Sequence, residues 1–101
     1  MGIQNRFEVM LEVTTTLKTE DDSAILSELR ESLTMQDSEG DLPEAILYDI
    51  DIYSNDGEGN VVVKVLADSE LEQDDFACSV FFDFDSEAVI YKNYAQMRQA
   101  E

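Results

Sequence analysis

The chain has 101 residues and carries six Lys and Arg against twenty-four Asp and Glu, for a formal charge of −18. This length indicates one domain with one core, and the hydrophobic fraction of 44% distinguishes the chain from disordered acidic tails. The charge argues against bare DNA, RNA or an anionic membrane as a direct partner, because each of these is also negative.

Residues 7–17 alternate between two faces, with Phe7, Val9, Leu11 and Val13 on one and Glu8, Met10, Glu12 and Thr14 on the other. A period of two with β-branched residues predicts a strand. The acidic run after it predicts a helix start, because Thr19 and Asp22 have the spacing of a capping box and acidic side chains stabilise a helix N-terminus. Apolar residues at helical spacing then predict a helix from about Asp22 to Leu33.

The rest of the chain predicts a loop and four more strands. Residues 36–43 are typical of a loop, and alternation over 46–53 and 61–66 predicts two strands joined by a hairpin turn at 54–60. Segment 68–75 is either a short helical turn or an acidic loop. Strands are also expected over 76–85 and 88–94, with a terminal helical turn in the tail to Glu101.

These elements predict one acidic α+β domain over residues 1–101, with an antiparallel sheet of about five strands in the order β-α-β-β-β-β. One main helix packs on one face of the sheet. The alternative is a ferredoxin-like β-α-β-β-α-β order with a helix over 69–82, although the alternation from Phe76 to Asp85 favours a strand there. The expected core contains Phe7, Val9, Leu11, Ile25, Leu29, Leu33, Tyr48, Ile50, Ile52, Val63, Val80 and Phe82.

The chain contains no histidine, the commonest general base and metal ligand, so we expect no enzymatic activity, no cofactor and no metal site. Cys78, the only cysteine, stands in an apolar run, which predicts burial. A calcium loop starting at Asp51 fails the EF-hand pattern at Tyr53 and Asp56, so a hairpin turn is expected. The N-terminal residues lack a signal-peptide stretch and no apolar run approaches a membrane span, so a cytoplasmic location is the default expectation.

The sheet face opposite the helix is expected to combine carboxylates with an apolar centre of Met10, Leu47, Val62, Phe81 and Ile90. This is the usual anatomy of a protein interface, unless the C-terminal tail or the 68–75 segment folds over the face. The predicted partner-binding residues are Glu8, Glu12, Asp49, Asp51, Glu70, Glu72, Asp74, Asp75, Phe81, Asp83 and Asp85.

Charge and this face together predict an inhibitor that docks on the positively charged, nucleic-acid-binding surface of a protein. Carboxylates two residues apart on a strand face are about 6.8 Å apart, close to two base-pair rises of about 3.4 Å each. Rows such as Asp49 with Asp51 and Asp83 with Asp85 would then replace phosphates on Lys and Arg side chains.

In its size, acidity and lack of histidine, the chain resembles the DNA-mimic inhibitors that phages and mobile elements direct against restriction, CRISPR or DNA-repair enzymes. The resemblance is one of charge and size, without a shared motif, and it implies action in the cytoplasm of a host cell. Three alternatives stay open. They are a halophile's protein, a homo-oligomeric structural or chaperone-like domain that dimerises through the outer sheet face, and a toxin-immunity protein.

Overall fold

The structure is a computed structural model that describes residues 5–36 and 45–100, with only the backbone at 45–48. Its elements are β1 (Asn5–Thr15), α1 (Asp22–Ser32), β2 (Leu33–Gln36), β3 (Ala45–Asn55), β4 (Asn60–Ser69), α2 (Gln73–Ser79), β5 (Phe81–Phe84) and β6 (Val89–Ala100). The predicted α+β class with an antiparallel sheet is confirmed. Apart from Gln36, the loop predicted at 36–43 lies outside the described residues.

Four long strands form one antiparallel sheet in the order β3-β4-β1-β6, and β2 pairs with β5 in a second, two-stranded antiparallel sheet. Along the chain, one helix lies between β1 and β3 and the other between β4 and β6. This is the connectivity of the ferredoxin-like alternative, with the short strands β2 and β5 added to it. The predicted order β-α-β-β-β-β is therefore corrected, because the structure has a second helix and six strands instead of five.

The alternation predicted one strand over residues 76–85, but these residues do not form a single strand. The first part belongs to α2, and only Phe81–Phe84 is extended. Phe76 and Val80 are both buried, and a spacing of four residues fits a helix face as well as a strand face. Cys78 lies in α2 and is exposed, so the prediction of its burial was wrong.

β6 extends to Ala100, so a strand replaces the helical turn that we expected in the tail. It pairs with β1 from Arg6 opposite Ala100 to Thr15 opposite Val89, with two register shifts along the way. β1 therefore has a partner strand on both sides and is, with β4, one of the two inner strands of the sheet.

The helix α1 forms where it was predicted, although its cap differs. The side chain of Asp21 accepts a hydrogen bond from the N–H of Ser23 at 3.1 Å, and the Thr19 hydroxyl accepts from the N–H of Asp21 at 3.1 Å. The N-cap is therefore Asp21, two residues beyond the predicted Thr19. Within the described ranges, neither this helix nor α2 has the length and apolar character needed to cross a membrane.

The core lies between one face of the four-stranded sheet and a layer made by the two helices and the two-stranded sheet. Phe7 of β1 stacks on Phe76 of α2 with ring centroids 4.3 Å apart, which anchors the second helix to the sheet. The side chain of Tyr48 lies outside the described residues. Of the other predicted core residues, Leu33 and Ile52 are half-buried, and the buried ones are Phe7, Val9, Leu11, Ile25, Leu29, Ile50, Val63, Val80 and Phe82.

Candidate protein-binding surface

The outer face of the four-stranded sheet lies opposite both helices and carries four of the predicted site residues. The strand registers place Glu8, Glu12, Asp49 and Asp51 there, on β1 and β3. Met10 and Val62 lie between them on the same face. Since the tail is part of β6 and the 68–75 segment continues from β4 into α2, neither of these two described segments folds over this face.

Basic side chains on the same face neutralise much of its charge. Arg6 binds Asp68 through two hydrogen bonds, from Nε to Oδ1 at 2.8 Å and from Nη2 to Oδ2 at 3.2 Å. This pairing holds the pKa of the Asp68 carboxyl below its usual value. Arg98 Nη2 donates to Glu8 Oε2 at 3.2 Å. Among the described residues, the face carries Glu8, Glu12, Asp49, Asp51 and Asp68 against Arg6, Lys64 and Arg98.

Asp49 and Asp51 also bond to the backbone of their own strand. Each side chain accepts from the N–H of the following residue, Ile50 or Ile52, at 2.8 Å. The carbonyl of Ile50 accepts in turn from Arg30 Nη2 at 3.3 Å. Because β3 is an edge strand, these side chains satisfy backbone groups that would otherwise be open to a further strand.

Phe81 and Asp83 lie on a different surface from Asp49 and Asp51. They are the exposed residues of β5, which belongs to the two-stranded sheet, and Asp85 follows the end of that strand. Asp83 Oδ1 accepts from the N–H of Phe84 at 2.9 Å, as the β3 carboxylates do. The expected apolar centre is thus divided, because Met10 and Val62 lie on the outer face whereas Phe81 lies in the two-stranded sheet. Ile90 stands at a register shift of β6 and has no partner residue in β1, and the side chain of Leu47 lies outside the described residues.

The remaining predicted site residues form one cluster where β4 leads into α2. We call it the α2-end cluster, and it consists of Glu70, Glu72, Asp74 and Asp75. All four side chains are exposed, and none belongs to a salt bridge within the described part of the chain. The connection is held in place by Leu71, whose carbonyl accepts from Asn5 Nδ2 at 3.0 Å and whose N–H donates to Ser69 Oγ at 3.1 Å.

A second acidic cluster, which the sequence reasoning missed, lies where the β3–β4 turn meets the segment before α1. We call it the hairpin-end cluster, and it consists of Glu20, Asp21, Asp22, Asp56 and Glu58. The two segments are joined by Asn55 Nδ2, which donates to the carbonyl of Thr19 and to Asp22 Oδ1, both at 2.9 Å. None of the three salt bridges of the described ranges involves these five carboxylates.

Asp56 organises the turn that carries this cluster. Its carboxylate accepts from the N–H of Glu58 at 2.8 Å, from the N–H of Asn60 at 3.1 Å and from Asn60 Nδ2 at 2.8 Å. These hydrogen bonds, above all the one from the Asn60 side chain, hold the pKa of Asp56 below its usual value. The hairpin turn predicted at 54–60 therefore forms over residues 56–59, between β3 and β4, with Asp56 ionised at neutral pH.

Comparisons with protein-family models, curated proteins and solved structures found no match to this chain. In the described ranges, no group of three or more acidic or cysteine side chains is arranged to hold a metal ion. The functional argument therefore depends on the charge distribution and the surfaces described above.

Proposed function

We propose that this chain is an acidic protein-binding module, an inhibitor that docks on a positively charged surface of a protein where that surface normally binds nucleic acid. The observation that carries the proposal is the division of the charge between the hairpin-end and α2-end clusters. Nine exposed carboxylates lie in the two clusters, and no basic side chain of the described residues forms a salt bridge with them.

The spacing of the two clusters supports a surface that normally binds nucleic acid. They lie at opposite ends of β4, whose ten residues span about 30 Å at ~3.4 Å per residue. One turn of duplex DNA is about 34–36 Å long. Carboxylates at the two ends would therefore meet cationic sites that bind phosphates about one turn apart.

The distance between the clusters also makes them electrically separate. Salt screens charges over about 10 Å at 0.1 M, which is much shorter than the strand between the clusters. Each cluster should therefore accelerate association with a basic surface on its own, and neutralising one should not be offset by the other.

The outer sheet face would contribute the contact between the two clusters. Its charge is largely compensated by the pairs of Arg6 with Asp68 and Arg98 with Glu8, and Met10 and Val62 are half-buried there. A surface of this kind adds little electrostatic steering and instead lengthens the lifetime of a complex by excluding water. The predicted residues Glu12, Asp49 and Asp51 would lie at the rim of this contact.

Three double substitutions with the same chemistry and the same resulting charge of −16 test the proposal. Glu70→Gln with Glu72→Gln alters the α2-end cluster, and Glu20→Gln with Glu58→Gln alters the hairpin-end cluster. The matched control is Glu31→Gln with Glu87→Gln, two exposed carboxylates outside both clusters.

Each protein is immobilised and exposed to bacterial lysate at low and high salt. We expect the wild type and the control to retain a nucleic-acid-binding protein at low salt, the two cluster variants to retain less of it, and all retention to fall as salt rises. Equal retention by the three variants would show that net charge alone, rather than the clusters, governs binding. Retention that does not depend on salt would contradict electrostatic docking.

A further inference from the structure

The strand β6 differs in charge from every other element. Its twelve residues contain Lys92 and Arg98 and no Asp or Glu, so it carries +2 in a chain whose total charge is −18. Among the eight elements of the described residues, it alone has a net positive charge. Pairing along β6 would therefore bring no carboxylate of either strand into the contact between two acidic copies of this chain.

β6 is also the edge of the four-stranded sheet that side chains leave open. At the opposite edge, Asp49, Asp51 and Arg30 bond to the backbone of β3. Within the part of the chain that the structure describes, no side chain bonds to a backbone N–H or carbonyl of residues 90–100. An unblocked edge strand is a template for pairing with another strand.

Apolar side chains gather along the same strand. Ile90, Tyr91 and Tyr94 are 65%, 59% and 40% exposed, and they are three of the five large apolar side chains exposed among the described residues. A groove of about 290 Å³ runs between α2 and the second half of β6, with Phe76, Val80, Phe82, Tyr94 and Met97 in its lining. Strand addition typically combines backbone pairing with pockets of this kind for alternate side chains.

We propose that β6 pairs antiparallel with β6 of a second copy, joining two four-stranded sheets into one sheet of eight. The contact is isologous and closes on itself. Pairing of β6 with β3 of the next copy would instead build an open fibre. The side chains that bond to the backbone of β3 prevent this pairing. This dimer surface is distinct from the outer sheet face, which stays free for the partner described above.

Antiparallel pairing explains the position of the groove. With the two-fold axis near the middle of β6, the half that contains Ile90 lies against the half of the other copy that borders the groove. The side chain of Ile90 then loses its exposure beside Met97 of the second copy. Register shifts of β6 against β1 near Ile90 and Ala95 confine regular pairing to the segments 91–94 and 96–100.

Sedimentation equilibrium across a wide range of protein concentration tests the proposal. We expect the wild type to reach twice its monomer mass of 11.4 kDa as concentration rises, and to do so at lower concentration in higher salt, because salt screens the repulsion between two acidic copies. A wild type that stays monomeric at every concentration and salt level would overturn the proposal.

The variant Ile90→Asp places a carboxylate in the acid-free strand and should raise the dissociation constant of the dimer at least tenfold. Tyr53→Asp is the matched control, since Tyr53 is 68% exposed on β3, at the other edge of the sheet, and this variant should dimerise like the wild type. If both variants weaken the dimer equally, or if Ile90→Asp leaves its dissociation constant unchanged, the two copies meet through a surface other than β6, such as the outer sheet face. If Ile90→Asp does not fold, hydrogen exchange on the wild type decides, because backbone amides of 91–100 should gain protection as concentration rises.

Discussion

Gly59 should be the least replaceable residue of the hairpin turn. Its φ is +95°, and a Cβ atom added there would lie 2.5 Å from the backbone oxygen of Thr15. The N–H of Thr15 also donates to the carbonyl of Gly59 at 2.8 Å, and Thr15 is buried. A side chain at position 59 therefore strains the backbone and pushes the turn away from the end of β1.

The magnitude follows from these two effects. A non-glycine residue in the left-handed region costs about 1–2 kcal/mol, and loss of the backbone hydrogen bond to Thr15 adds about 0.5–1.5 kcal/mol. We expect Gly59→Ala to lower the free energy of unfolding by about 1.5–3.5 kcal/mol in total.

Gly57→Ala is the matched control for this prediction. Gly57 has φ of +76°, but the three atoms nearest to its added Cβ all belong to the Glu20 side chain, the closest being Cγ at 3.0 Å. Glu20 is exposed, so its side chain can move, and backbone strain of about 1–2 kcal/mol is the main cost. Urea unfolding at neutral pH, followed by circular dichroism, measures both variants. If Gly59→Ala is no less stable than Gly57→Ala, the close approach of this turn to β1 is refuted.

Three further predictions concern the core, an ion pair and the partner class. Leu29→Ala should lower the free energy of unfolding by about 2–5 kcal/mol, because Leu29 is 1% exposed; a loss below about 0.5 kcal/mol in denaturant melts would contradict the packing of α1. Asp68→Asn should cost up to about 1 kcal/mol at neutral pH by removing the pair with Arg6. Because the folded state lowers the pKa of Asp68 from 3.8, this stabilisation is present above that value and should vanish as the pH falls through the folded pKa; a difference that persists in acid melts would contradict this assignment. The purified chain should not shift duplex DNA in a gel at about 0.15 M salt, and a shift would refute the argument from charge.

Periodicity predicted most of the fold because burial in this protein is regular. From Arg6 onward β1, and all of β4, alternate between buried residues and residues that are mostly half-buried, and α1 buries Ile25 and Leu29 on one stripe. α2 was the less favoured alternative because Phe76, Val80, Phe82 and Phe84 are all separated by even numbers of residues, so one helical turn and one strand produce the same pattern.

The predicted site was harder to derive from the sequence, because the basic residues that neutralise its carboxylates are far from them along the chain. Arg98 and Glu8 are 90 residues apart in sequence, and Arg6 and Asp68 are 62 apart, so the neutralisation of the outer face appears only once the strands are paired. The hairpin-end cluster likewise depends on a contact between Asn55 and Thr19 across 36 residues. By contrast, the lack of acidic residues in 89–100 was visible in the sequence and becomes informative once those residues form an edge strand.

The central claim is that the two acidic clusters compete with nucleic acid for a basic protein surface. The most direct test measures the release of labelled duplex from restriction, CRISPR and DNA-repair enzymes as this chain is added. We predict that at least one of these enzymes releases its duplex and that the two cluster variants, Glu70→Gln with Glu72→Gln and Glu20→Gln with Glu58→Gln, need several-fold higher concentrations. The control, Glu31→Gln with Glu87→Gln, should act like the wild type. No release from any enzyme, or identical release curves for the control and both cluster variants, would contradict the claim.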